Sequence, residues 1–144
     1  MSSLTSLKEE ILSLKKQKNA VILAHYYEDG EIQDIADHVG DSLYLAQQGE
    51  KLTADVALMA GVVFMAETVK ILSPTKTVLV PDLGAGCSLV DHSPFDKYLE
   101  WRRQHPTGIA VTYVNSSALV KSITDVACTS SNAEKIIAAI PPGR

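Results

Sequence analysis

The side chains of this sequence that can do chemistry gather just past its apolar runs. His25 and Tyr27 follow Ala20 to Ala24, Ser42 opens a helical stretch, and Cys87 follows Gly84-Ala85-Gly86. Tyr113, Asn115 and Ser130 come after later apolar runs, and Met65 lies one turn into the helix expected after Gly61. The His25 imidazole can move a proton near neutral pH or hydrogen-bond a substrate; a structural imidazole is the plain alternative. A loop thiol such as Cys87 can act as a nucleophile or bind a metal once ionised, although one cysteine alone completes neither arrangement. Cys128, beside Val126 and Ala127, reads instead as a small buried hydrophobe. Ser42, Ser116 and Ser130 at helix starts suit anions, because unpaired N–H groups and the helix dipole both favour negative charge. Plain N-capping explains each serine equally. The glycines before Cys87 lack dinucleotide-binding spacing and leave room for a bulky group there. His38, His92 and His105 read as solvent-exposed, and Trp101 with Tyr98 and Leu99 as helix packing.

Positioning those side chains requires alternating strands and helices. Leu4, Leu7, Ile11 and Leu14 recur at helical spacing, with Ser6 and Glu9 fitting a capping box. Ala20 to Ala24 reads as a buried parallel strand. A helix from Gly30 would carry Ile32, Ile35, Ala36 and Val39 on one face. Asp41 is the expected cap of a helix opening at Ser42. Further strands are expected at 55–59, 77–80, 109–114 and 125–129. Helices are expected after Gly61 as far as Pro74, from Pro94 to Arg103, after an Asn115-Ser116 cap to about Ile123, and after Ser130. That last helix would turn Ala133, Ile136, Ile137 and Ile140 inward. The class is α/β, with a mainly parallel sheet in three-layer αβα units. In such a sheet ligands bind beyond the carboxyl ends of the strands, where the residues named above all fall. The opposite ends carry ordinary turn residues.

A weak internal repeat links residues 88 positions apart. It pairs His25 with Tyr113, Tyr27 with Asn115, Ile35 with Ile123, Asp37 with Asp125 and Ser42 with Ser130. In this register His38 to Gly40 becomes a short strand matching Val126 to Cys128. The repeat divides the chain into a first unit over 1–106, including a helix over 4–18, and the beginning of a second over 107–144.

Composition bounds the setting. With 144 residues, 46% of them hydrophobic and a net charge of −4, the chain can bury a core and is no disordered tail. No basic stripe suggests nucleic acid, and no apolar run approaches the ~20 residues of a membrane span. Met1 to Glu10 lacks the pattern of a secretory signal, and two cysteines make no disulfide framework, so a cytoplasmic setting is expected.

The motifs carry a resemblance. Ala24-His25-Tyr26-Tyr27, Ile35-Ala36-Asp37 with Gly40-Asp41-Ser42, Gly61 to Thr68, Gly86-Cys87-Ser88-Leu89, Thr112 to Ser116 and Cys128 to Ala133 resemble the quinolinate synthase (NadA) family from about Asn19 onward. The resemblance implies three pseudo-symmetric α/β units, of which this chain holds one complete and one partial, around a 4Fe-4S cluster with an open iron site. It implies condensation of iminoaspartate, supplied by an L-aspartate oxidase, with dihydroxyacetone phosphate to give quinolinate for NAD biosynthesis. By motif, Cys87 is a cluster ligand, and His25 and Tyr27 contact substrate and assist proton transfer. Ser42, Tyr113, Asn115 and Ser130 bind carboxylates or phosphate, and Met65 forms an apolar wall. The remaining cluster ligands have no counterpart here, so this chain alone is expected to be inactive and to expose apolar surface. Two other readings stand beside this one: an anion-binding module using Ser42, Ser116 and Ser130, and an enzyme pairing a Cys87 nucleophile with His25.

Overall fold

Ala20 to His25 forms a strand because continuous small and branched apolar side chains suit a position buried on both faces. A computed structural model describes residues 3–143. Met1 and Ser2, within the stretch read above for a leader, and Arg144 lie outside the described residues. The chain runs through α1 (Ser3–Gln17), β1 (Ala20–His25), α2 (Gly30–Gln33), β2 (His38–Gly40), α3 (Ser42–Lys51), β3 (Val56–Ala60), α4 (Val63–Leu72) and β4 (Thr77–Leu79). These elements make the first compact unit, which ends at Gly86. Its sheet is parallel throughout, in the order β2-β1-β3-β4.

Strand alternation assigns the faces of this sheet. Ile22 pairs with Leu58 and Ala24 with Ala60, and this face meets Ile11 of α1 and Ile32 of α2 around a shallow apolar hollow. The other face carries Leu23 and Met59, with Met59 close to Gly61 and to Met65 of α4. Helices α3 and α4 touch where Gly49 meets Val69, and the Ser73 hydroxyl donates to the Gly49 carbonyl at 2.8 Å. Leu23, Leu45, Met59 and Val69 are fully buried, each worth about 1.5–3 kcal/mol of transfer free energy. The unit therefore has three αβα layers.

The second unit begins at Cys87 and contains α5 (Ser88–Asp91), α6 (Phe95–Gln104), β5 (Val111–Tyr113), α7 (Ala118–Lys121), β6 (Val126–Cys128) and α8 (Ala133–Ala139). Strands β5 and β6 pair in parallel. Neither α6 nor α8 buries a residue. Among the described residues, no helix is long and apolar enough to cross a membrane.

The repeat reappears in the hydrogen bonds of each unit. Leu23 pairs with His38 and Val111 with Val126, in the same relative register. The Asp37 carboxylate accepts from Ile22 N at 2.8 Å, and the Asp125 carboxylate accepts from Ala110 N at 2.8 Å. Each aspartate also takes a cation from the preceding long helix: Lys15 at 2.6 Å and Arg102 at 2.8 Å. Helices α2 and α7 begin and end at matching positions. The compact division falls after Gly86 and so groups α5 and α6 with the strands that follow them, whereas the sequence reading divides the chain at 106/107.

Several local expectations give way. Helix α1 is already running at Ser3, so Ser6 and Glu9 form no capping box. Ion pairs from Lys8 to Asp34 and from Lys15 to Asp37 set the rotation of α1 and leave Leu4, Leu7 and Leu14 exposed. Helix α2 stops at Gln33, because Asp37 exchanges bonds with both N–H and C=O of Ile22 and draws the chain into β2, Val39 included. Pro94 is the cap of α6 rather than its first residue. Ser117, not Asn115-Ser116, caps α7 by accepting from Val120 N, and Asn132, not Ser130, precedes α8. Ile137 faces solvent.

Candidate active site at the strand tips

Strand β1 ends at His25, opposite Gly40 of β2, and the chain turns sharply there. The amide of Glu28 donates to the His25 carbonyl at 2.9 Å, which closes the turn. The amide of Tyr27 donates to His25 Nδ1 at 3.3 Å. An accepting Nδ1 leaves the ring proton on Nε2, so His25 offers a donor away from the turn. The imidazole stacks on Tyr26, with ring centres 4.5 Å apart, and lies 4.7 Å from the Tyr27 ring. The Tyr26 hydroxyl donates to that of Tyr27 at 3.4 Å, a bond that pushes the Tyr26 phenol above its ordinary value. Partial burial lowers the His25 pKa, while the Glu28 and Asp41 carboxylates pull the other way. Tyr27 is 81% exposed and projects from the tip.

Met65 is buried under this tip. It is 4% exposed, its Sδ lies against Gly61, and Gly61 also faces the His25 Cβ. Ser42 is the first residue of α3, directly after Asp41, whose carboxylate accepts from Tyr44 N at 2.7 Å. That carboxylate already occupies the positive end of the helix dipole. Gly40 has no room for a Cβ, which would come within 2.3 Å of the Tyr44 ring.

Strand β5 ends at Tyr113, and the Ser130 hydroxyl donates to the Tyr113 hydroxyl at a long 3.5 Å. Asn115 follows two positions on. Ser116 is buried, with its Oγ unpaired among the described residues, and its carbonyl accepts from Lys121 Nζ. The Asn132 carboxamide oxygen accepts from Thr129 N at 2.7 Å. Ser130 thus stands ahead of the helix start, and Ser116 does not cap. Of the three serines only Ser42 lies within a helix, as the first residue of α3. Cys128 is buried in β6 as a packing residue, whereas Cys87 is a partly exposed free thiol immediately before α5.

The first unit thus brings together His25, Tyr26 and Tyr27 above Met65, and the second brings Tyr113 to Ser130. Gln33 and Lys121 escaped the sequence reading, and Gly40 entered it only as part of a motif and a short strand. The signal that finds Gln33 and Lys121 is the repeat, which places them at one equivalent position.

A 4Fe-4S cluster needs a set of thiolates. Cys87 is accessible enough to serve as one, but among the described residues no group of three or more His, Cys, Asp or Glu is placed to hold a metal ion.

Comparison with known proteins defines the family. The model of the quinolinate synthetase A protein (NadA) family matches residues 9–144. A quinolinate synthase of Chlorobaculum tepidum is 56% identical over 140 residues, covering 97% of this chain and 44% of that protein. One from Pyrobaculum aerophilum is 54% identical, covering 96% and 45%, and one from Nostoc punctiforme is 57% identical, covering 91% and 40%. The chain spans less than half the length of these relatives. With the family model matching nearly all of it, this chain belongs to the quinolinate synthetase A family.

Proposed function

We propose that this chain supplies strand tips of a quinolinate synthase, an enzyme of NAD biosynthesis acting in the cytoplasm. It would condense iminoaspartate with dihydroxyacetone phosphate to quinolinate, releasing phosphate and two waters. The observation that carries this reading is an imidazole presenting Nε2–H beside two phenols, in a chain 56% identical to a quinolinate synthase. Imine–enamine and keto–enol exchange need proton donors and acceptors at neutral pH. His25 is assigned donation from Nε2 to a substrate oxygen, and Tyr27 the transfer of protons from its exposed hydroxyl. Ser42, Tyr113, Asn115 and Ser130 are assigned to hold carboxylate or phosphate oxygens, and Met65 to support the tip from below. An L-aspartate oxidase is the proposed source of iminoaspartate.

Cys87 is the residue assigned to a 4Fe-4S cluster, with the other ligands coming from outside the described residues of this chain. When bound, such a cluster supplies a Lewis-acidic iron that helps a hydroxyl leave. The test uses the product of the whole coding sequence, purified without oxygen. Iron, labile sulfide and quinolinate formation are expected, with Cys87→Ala losing the cluster and Cys128→Ala keeping it. A folded, iron-free full-length protein sinks the reading. With a single assigned ligand, the 144 residues alone are expected to form no quinolinate. A Cys87 nucleophile paired with His25 would instead predict turnover without metal, abolished by alkylation of Cys87.

A further inference from the structure

We propose that Gln33 is the positioning residue of the first strand tip, holding the turn that keeps His25 Nδ1 engaged by Tyr27 N–H, and that Lys121 is its counterpart at the second tip. This rests on the assignment of His25 and Tyr27 to the site. Gln33 is the last residue of α2, and its Nε2 donates to two carbonyls, Tyr26 O at 3.1 Å and Glu28 O at 2.7 Å. Those carbonyls flank Tyr27. The N–H groups of Tyr27 and Glu28 are meanwhile taken up by His25, through Nδ1 and through its carbonyl. The carbonyls of Tyr26 and Glu28 therefore accept from Gln33, and the amides of Tyr27 and Glu28 donate to His25. A group with two or more N–H donors suits two neighbouring carbonyls; an aliphatic chain leaves both without a protein partner.

The second unit places a different donor at the same position, toward one of the two equivalent carbonyls. Lys121, the last residue of α7, stands where Gln33 stands, and Ser116 stands where Glu28 stands. Lys121 Nζ donates to the Ser116 carbonyl, while Ser116 N satisfies the Val114 carbonyl at 2.9 Å. An amide and an ammonium share no chemistry except N–H donation. Both are placed on the helix end that faces back toward the tip carbonyls, so donation is the common function.

The experiment uses the full-length protein with Gln33→Met, which keeps the length and removes the donor, and Gln33→Lys, which copies the second tip. Gln33→Met is expected to lower kcat by roughly ten- to a hundredfold, with a smaller change in KM. The His25 imidazole 15N shifts should move from the Nε2–H tautomer toward a mixture. Gln33→Lys should recover most of kcat and the native shifts. A folded Gln33→Met protein with native kcat and native shifts overturns the proposal, as does Gln33→Lys impaired as severely as Gln33→Met. If Gln33→Met does not fold, Gln33→Lys combined with Lys121→Gln decides: retained turnover supports the clamp, and a folded but inactive protein overturns it. A native protein that forms no quinolinate defeats the functional reading alone, because the imidazole shifts report the clamp without turnover.

Discussion

His25 shows how a small environment sets the job of a residue. Its Nδ1 is occupied and burial disfavours its charged form, so it stands at the tip as a neutral donor. Its NMR titration midpoint should therefore fall below 6.5. The sign for stability follows. A lowered folded-state pKa means that the unfolded chain binds the proton first. The His25 contribution is complete above pH 6.5 and is lost as pH falls through the folded value, and a midpoint at or above 6.5 would contradict this. Gly40 makes a second case. A Cβ there collides with the Tyr44 ring, so Gly40→Ala should cost about 1–3 kcal/mol in urea unfolding. The repeat offers the remedy, because Cys128 occupies the matching position where Asn132 replaces the tyrosine. Gly40→Ala with Tyr44→Asn should recover much of the loss, and strictly additive costs would refute the collision as cause. His25 and Tyr27 were legible in the sequence because their side chains advertise chemistry. Gln33 was not, nor was the reason for Gly40 in its motif, because their importance lies in which atoms come near them.

At the scale of elements, the recurring device is an aspartate that fastens the strand after a short helix to the strand before it. Asp37 holds Ile22 N and Lys15, and Asp125 holds Ala110 N and Arg102. Each joins a long helix and two strands through one partly exposed carboxylate. Replacing either with alanine strands a backbone donor and should cost about 1–2 kcal/mol, read as a lower urea midpoint with an unchanged slope. The strand order along the chain was legible from apolar runs, which depend mainly on local composition. Helix ends were less so. Helix α1 has a capping-box sequence inside it, and Ser130 resembles a cap that Asn132 supersedes. Such boundaries are decided by partners distant in sequence, as Asp37 decides the end of α2.

Across the whole molecule, the two units carry unequal cores. The first has a four-stranded sheet with Leu23, Leu45, Met59 and Val69 fully buried, whereas α6 and α8 of the second bury nothing. Hydrogen exchange should therefore be slowest at β1 and β3 and faster at β5 and β6. Equal protection would mean that the second unit draws stability from contacts beyond its own core. Leu83, Leu89, Leu119 and Ile137 are each more than half exposed, so the 144-residue chain should scatter light increasingly with concentration. Added full-length sequence should suppress that scattering.

The matching aspartates also bear on ancestry. Two segments of one chain that fasten the same backbone atoms with the same residue, at a constant interval, show the pattern that tandem duplication of a strand–helix–strand gene segment would leave. After such an event the fastening stays under one constraint in both copies, while the tips are released to specialise. In that register histidine and tyrosine at 25 and 27 correspond to tyrosine and asparagine at 113 and 115, so the fastening is shared while the tip chemistry is not.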